Sequence, residues 1–248
     1  MQCWRRVRAT AIAVVAFNCC ALATVCVASS SEDEDPLVMV FSGRDIWRNG
    51  AFIYGGLVYA PGGFEQDGLL FKIVSSGGLY RYDAKNLGQR VLGAEWLAQI
   101  LPGWRIKRGD AEFKFFMGPE IQRHWLWPDD PDNKLRGNSF GLRVAAEFWY
   151  EPAPSLMIAA DVSLSTIATS NSARVAYGWR VLEDMLGGVY VGPEAQYFGS
   201  DGYRHFRFGA HVTTMKTEDV EWSAAVGWAR DSDGRSSPYV RLNALKRQ

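Results

Sequence analysis

The chain predicts an all-β fold, an antiparallel transmembrane β-barrel of about 12 strands, with roughly 10 to 14 compatible with the pattern. Three observations carry this. Apolar and polar residues alternate with a two-residue period along most of the chain, as in Phe206, Phe208, Ala210 and Val212 against His205, Arg207 and His211. After Val27 no apolar run approaches the ~18 residues that a spanning helix needs. Aromatic residues gather near strand ends on the apolar face, where girdle rings meet lipid headgroups.

Alternation between turn signals places strands near 37–47, 51–60, 67–82, 88–100, 111–124, 138–150, 155–165, 172–180, 188–199, 203–214, 220–229 and 236–244. Turn chemistry separates them: Asn49-Gly50, Pro61-Gly62-Gly63, Pro102-Gly103, Pro152-Ala153-Pro154, Gly187-Gly188 and Asp201-Gly202. The first two strands do not alternate cleanly, and their faces stay unassigned. From the fifth onward the split is regular. Phe113, Phe115 and Met117 oppose Glu112, Lys114 and Phe116, and Phe140, Leu142, Val144, Phe148 and Tyr150 oppose Arg143 and Glu147. Val175, Tyr177 and Trp179 oppose Arg174 and Arg180, while Trp222, Val226 and Trp228 oppose Glu221 and Ser223.

A soluble sandwich also has one apolar face, but turns it inward. A membrane barrel inverts the arrangement, with lipid outside and a polar interior. The aromatic positions Tyr150, Trp179, Tyr197, Trp222 and Trp228, and a polar face without long Lys and Glu runs, favour the inverted form. A soluble ligand-binding β-barrel is the alternative.

Residues 1–28 carry Arg5, Arg6 and Arg8, an apolar core from Ala9 to Val27, and small residues at Cys26-Val27-Ala28. This reads as an export signal cut after Ala28 in preference to a permanent anchor. Residues 29–35 form a flexible acidic lead-in, and 36–248 a single barrel domain. All four cysteines lie in the signal, so the remaining chain forms no disulfide and lacks every zinc pattern that needs Cys. Removing three arginines from 27 basic and 27 acidic groups leaves 24 against 27, a net of about −3. That balance gives no reason to expect nucleic acid as a partner, and no cofactor or metal is expected.

The lumen-lining set expected from alternation is Lys114, Glu120, Gln122, Arg143, Glu147, Asp161, Arg174, Arg180, Glu194, Gln196, His205, Arg207, His211, Glu221 and Arg241. Isolated charges are costly in a narrow interior, so these groups are expected to pair as structural glue first and to line a polymer or ion path second. The longest outer loop, Trp125 to Gly137, holds Asp129, Asp130, Asp132 and Asn133 and reads as a solvated turn; every other connection is read as short. An internal echo links Gly118-Pro119-Glu120-Ile121-Gln122 to Gly192-Pro193-Glu194-Ala195-Gln196. Each Gly-Pro pair predicts a local kink.

A lipid-modifying hydrolase of the lipid A deacylase type is the enzymatic alternative, since such barrels use His, Ser and a carboxylate. His124, His205 and His211 are present, but His211-Val212-Thr213 offers Thr where Ser is needed. No catalytic residues are assigned.

Phe41-Ser42-Gly43-Arg44-Asp45-Ile46-Trp47, Ala60-Pro61-Gly62-Gly63-Phe64 with Asp67-Gly68, the run Gly192 to Gln196, and Tyr203 to Val212 together resemble the cellulose biosynthesis protein BcsS family over most of the chain after the signal. The resemblance implies an accessory component of the cell outer membrane associated with bacterial cellulose synthesis or polysaccharide export. Its partners would be outer-membrane lipid and the cellulose synthase or export machinery or the glucan chain. It assigns no active residues, and none is carried over.

Overall fold

The structure is a computed structural model and describes residues 36–84, 86–182 and 188–248. The expected signal and lead-in lie outside the described residues, as does Gly187 of the expected Gly187-Gly188 turn. Twelve antiparallel strands form a meander: β1 (Val38–Trp47), β2 (Gly50–Tyr59), β3 (Gly68–Ala84), β4 (Gln89–Arg108), β5 (Ala111–Trp127), β6 (Gly137–Ala153), β7 (Leu156–Ser165), β8 (Asn171–Val181), β9 (Val189–Ser200), β10 (Tyr203–Thr217), β11 (Val220–Asp231) and β12 (Ser236–Arg247). Each strand pairs with its chain neighbours, and β1 pairs with β12 to close the barrel. Closure leaves no free edge, so every strand finds backbone partners on both sides without water.

The end where β1 starts and β12 stops is here called proximal, and the other distal. The expected strand count and order hold, several strands run three or more residues past their expected ends, and two of the expected breaks fall inside strands. Pro102-Gly103 lies inside β4, and Pro152 inside β6, where the register shifts between Tyr150 and Ala153. Both prolines sit where a ladder bond is already interrupted, so a missing N–H does not end the strand.

The alternation resolves into two environments. Outside, Phe140, Phe208, Met117, Ile100 and Trp228 stand largely exposed, at 77%, 68%, 62%, 58% and 58%. Exposed apolar side chains on strand after strand make this a lipid-facing surface and not a water-facing one. Tyr150 and Trp179 toward the proximal end, and Trp228 toward the distal end, are exposed as girdle positions require. Inside, Glu120, Gln122, Glu194, Gln196, His205, Arg207 and His211 are all buried.

β1 shows why the first faces resist assignment. By alternation from buried Met39 and Gly43, its inward side is Met39, Phe41, Gly43, Asp45 and Trp47, while Ser42 and exposed Arg44 lie on the outer side. The inner side is the more apolar because the proximal interior holds a hydrophobic cluster of Met39, Val58, Ala60, Phe64, Leu70, Leu101 and Phe116. Phe64 enters that cluster from the turn at 60–67, which is nearly as long as the distal loop at 128–136 and so departs from the expectation of short connections. The turn is fastened to β4: Lys107 donates its backbone N–H to Asp67 at 2.6 Å and its ammonium to Glu65 at 2.6 Å. These bonds hold both carboxyls below their ordinary range.

The two Gly-Pro pairs interrupt the ladder without shifting its register. Between β4 and β5 pairing stops after Gln99↔Glu120 and resumes at Gly103↔Phe116; between β8 and β9 it stops after Ala176↔Glu194 and resumes at Trp179↔Val191. Both pairs stay bonded to the following strand. The glycines permit close approach, since a Cβ on Gly118 or Gly192 would fall 2.1 Å or 1.9 Å from the carbonyl oxygen of Ile100 or Tyr177. The expected kinks are thus gaps in one ladder, not bulges. Tyr177, which falls opposite Pro193 in the unshifted register, has its carbonyl 3.1 Å from His211 Nε2. The imidazole N–H donates where Pro193 has none to offer.

Candidate functional site

The echoed Glu-x-Gln motifs build two matching sites in the lumen. Glu120 Oε1 accepts from Gln122 at 2.8 Å and from the Ser165 hydroxyl at 2.7 Å, and its Oε2 accepts from Gln99 at 2.7 Å and from Arg143. Glu194 Oε1 accepts from Gln196 at 2.5 Å and from the Tyr239 hydroxyl at 3.0 Å, and its Oε2 accepts from Arg241 at 2.6 Å and Arg174 at 3.2 Å. A carboxylate has about four lone-pair sites, and each of these has all of them occupied. Both glutamate side chains are 0% exposed. Full satisfaction is what makes burial of an ion tolerable.

Arg207 forms the third element. Its Nη1 lies 2.7 Å from both oxygens of Asp45, and the guanidinium lies 4.6, 5.0 and 5.0 Å from the ring centres of Trp47, Phe198 and Tyr239. Arginine suits such a box because a flat, weakly hydrated cation stacks on several rings while keeping an in-plane salt bridge. Tyr239 reaches this position over the backbone of Gly209 and Gly227, where a Cβ would come within 2.7 and 2.8 Å of its ring or hydroxyl.

The other expected lining residues fall into smaller sets. Asp161 bonds Arg174 at 2.8 Å, Lys72 bonds Glu147, and Glu112 lies between Arg105 at 2.6 Å and Lys114 at 3.0 Å. Arg180 lies over the Tyr190 ring at the proximal rim, and Glu221 lines the proximal cavity. His124 contacts the Tyr80 hydroxyl at 2.9 Å and Gln122 at 3.2 Å, and His205 packs on Trp47 at 5.3 Å between ring centres.

These contacts divide the lumen. A distal cavity of about 830 Å³ and a proximal one of about 370 Å³ share no wall residue. Between them runs the belt of Glu120, Glu194, Gln196, Arg207 and Tyr239. Arg143 faces the distal cavity and Arg174 the proximal one, each held by one of the two glutamates.

The distal loop is tied to the wall beneath it. Asp130 accepts from the Tyr82 hydroxyl and from Asn86, both at 2.8 Å, Asn133 donates to Tyr82 at 2.8 Å, and Asp129 takes two bonds from Arg136. The Asn86 bond, followed by that of Tyr82, holds the Asp130 carboxyl below its usual range. The acidic residues are therefore engaged in loop structure. Among the described residues no cluster of His, Cys, Asp and Glu is placed to hold a metal ion.

Alternation alone did not single out Asp45, Trp47, Tyr80, Tyr82, Phe198 or Tyr239. The signal for Tyr80 and Tyr82 was their shared parity with Lys72 on β3; for Asp45 and Trp47 there was none, because β1 does not alternate cleanly.

A family model described as cellulose biosynthesis protein BcsS matches residues 39–248. The chain belongs to that family. Among solved structures it is similar to an outer membrane channel from Pseudomonas putida F1 (10% identity, 89% of this chain and 100% of that one, TM-score 0.54) and to the beta domain of the Bordetella autotransporter Brka (11% identity, 87% and 100%, TM-score 0.53). At such identities the likeness concerns the fold, that of outer-membrane barrels. A search of curated proteins returns no match.

Three of the four segments by which the sequence resembles the BcsS family lie in one sector of the barrel, and the fourth, Ala60 to Phe64 with Asp67-Gly68, forms the proximal turn after β2. Asp45 and Trp47 on β1, Glu194 and Gln196 on β9, and His205, Arg207 and His211 on β10 lie in one sector of wall running β9-β10-β11-β12-β1. The belt is built largely from them.

Proposed function

We propose that this chain is an accessory barrel of the cell outer membrane that assists secretion or placement of cellulose without catalysing a reaction. Membership of the BcsS family supports the link to cellulose, and the apolar outer band supports the membrane. The observation that carries the mode of action is the divided lumen: two cavities separated by a belt in which both buried glutamates are saturated with donors. Such an interior suits a scaffold with a binding mouth at each end better than an open pore. With the amino terminus in the periplasm after removal of the export signal, the distal cavity faces the cell exterior.

The reading predicts that deleting the gene changes the amount, location or fibre form of extracellular cellulose while the synthase remains active in isolated membranes. Unchanged cellulose in all three respects would overturn it. In planar bilayers the purified barrel is expected to conduct little, and a large steady conductance would replace the scaffold by a channel.

A further inference from the structure

The distal cavity has the walls of a saccharide site. Its aromatic residues stand in two groups. Tyr80 and Tyr82, stacked at 6.1 Å, rise from β3, while Phe198 and Tyr203 stand on β9 and β10, with Trp47 on β1 between the two groups in the ring. In the strand order β10 and β3 are five steps apart around a twelve-strand ring, so these groups look at one another across nearly the full width of the barrel. Flat rings facing across a gap present apolar surfaces to a flat, weakly apolar ligand face.

Most of the charges around the mouth are spent on one another, while Arg81, Glu95 and Asp132, of both signs, line the cavity outside the ion pairs. Asp83 pairs with Arg90 and Arg235, Asp201 with Lys134, Asp233 with Arg235, and Asp130 is taken by Tyr82 and Asn86. With the two signs interleaved, a polyanion meets no continuous cationic track there and a polycation no continuous acidic one. What the wall offers besides its rings are amides and hydroxyls, among them Asn49, Asn171, Ser172 and Ser200. Rings for C–H faces and neutral polar groups for hydroxyls are the complement of an uncharged sugar chain. The volume of about 830 Å³ lies in the range of about 300–1,000 Å³ typical of small-ligand sites, enough for a few sugar rings.

We infer that the distal cavity binds a short segment of an uncharged glucan between Tyr80 and Tyr82 on one wall and Phe198 and Tyr203 on the other. This rests on the cellulose-linked reading above and names the ligand of that scaffold.

The test is calorimetric titration of the folded barrel in detergent micelles with cellohexaose, maltohexaose and an oligogalacturonate, folding being checked by heat-modifiable migration. Saturable binding of cellohexaose is expected, roughly ten-fold weaker in Phe198→Ala and in Tyr82→Ala. Phe198→Tyr and Tyr82→Phe, which keep the rings, are expected to retain it; Tyr82→Phe also separates ring contact from the Asp130 bond. Absence of cellohexaose binding, preference for the oligogalacturonate, or equal binding by the ringless variants overturns the site. The gene deletion separates the two ideas. A cellulose defect with no oligosaccharide binding removes the site and keeps the scaffold, whereas binding with no cellulose defect keeps the site and removes the cellulose role.

Discussion

His211 and Tyr177 are joined by a bond that proline makes necessary: the imidazole Nε2 donates to the Tyr177 carbonyl at 3.1 Å, opposite Pro193, which has no N–H to give. A histidine open to a catalytic reading from sequence thereby completes a β-ladder. Replacing it by Phe leaves a buried carbonyl unpaired and is expected to cost about 1–3 kcal/mol in urea unfolding of the micelle-bound barrel. His211→Gln, which keeps an N–H donor, should recover part of the loss. Equal stability of all three proteins would show that the bond carries no weight.

The two saturated glutamates make a matched pair of tests. Glu194→Ala strands Arg241 and leaves Arg174 to Asp161 alone, and Glu120→Ala strands Arg143. Removing one partner of a buried ion pair costs about 3–5 kcal/mol, and Glu194→Ala should be the worse because it takes a carboxylate from two cations and not one. Temperatures at which heat-modifiable migration is lost would rank the variants.

Arg207→Lys is expected to behave as a loss. An ammonium cannot lie flat against Trp47, Phe198 and Tyr239 while meeting both Asp45 oxygens. The paired change Asp45→Asn with Arg207→Gln removes the charge without stranding a partner and loosens the belt. Single-channel recording should then register conductance above that of the parent, and an unchanged trace would place the barrier elsewhere.

On the outside, Phe208 is 68% exposed in the middle of β10. Phe208→Lys sets a cation against the hydrocarbon and is expected to cost about 2–4 kcal/mol near the bilayer midplane. Lipid-reconstituted unfolding titrations would reveal it, and a neutral outcome would argue that this face does not meet lipid.

The distal loop carries the pH dependence. Asp130 has a folded-state value below its unfolded one, so its contribution is present at neutral pH and disappears as pH falls through the folded value. Proteolysis within 128–136 should accelerate in that acid window, and Asp130→Asn should flatten the profile. A loop equally protected at neutral and strongly acid pH would count against this latch.

The barrel and its two faces were legible wherever lipid lay outside and charge inside, as on β5, β6 and β8 to β12. They were not legible on β1, because Met39 and Phe41 point into an interior that is itself apolar there and Arg44 sits on the outer side. The echo at Glu120 and Glu194 was visible, but its chemistry was not. The hydroxyls that complete each carboxylate, Ser165 and Tyr239, come 45 residues later in the chain in both cases. Strand parity says which way a side chain points and not which distant residue it meets. Pro102 and Pro152 were read as strand ends since local turn chemistry takes no account of a ladder bond missing for other reasons.

The belt and the proximal cavity beside it join residues far apart in sequence: Asp45 to Arg207 across 162 positions and, in the cavity wall, Tyr54 to Asn243 across 189. None of these bonds can form while hairpins add one by one, because their partners enter with β10 and β12. The side of the interior between β9 and β1 therefore sets only when the last strand meets the first, and a chain stopped before β12 would leave Glu194 without Tyr239 and Arg241. Filling of the lumen becomes a record of completed assembly, and an unfinished barrel is marked by raw charge at its centre.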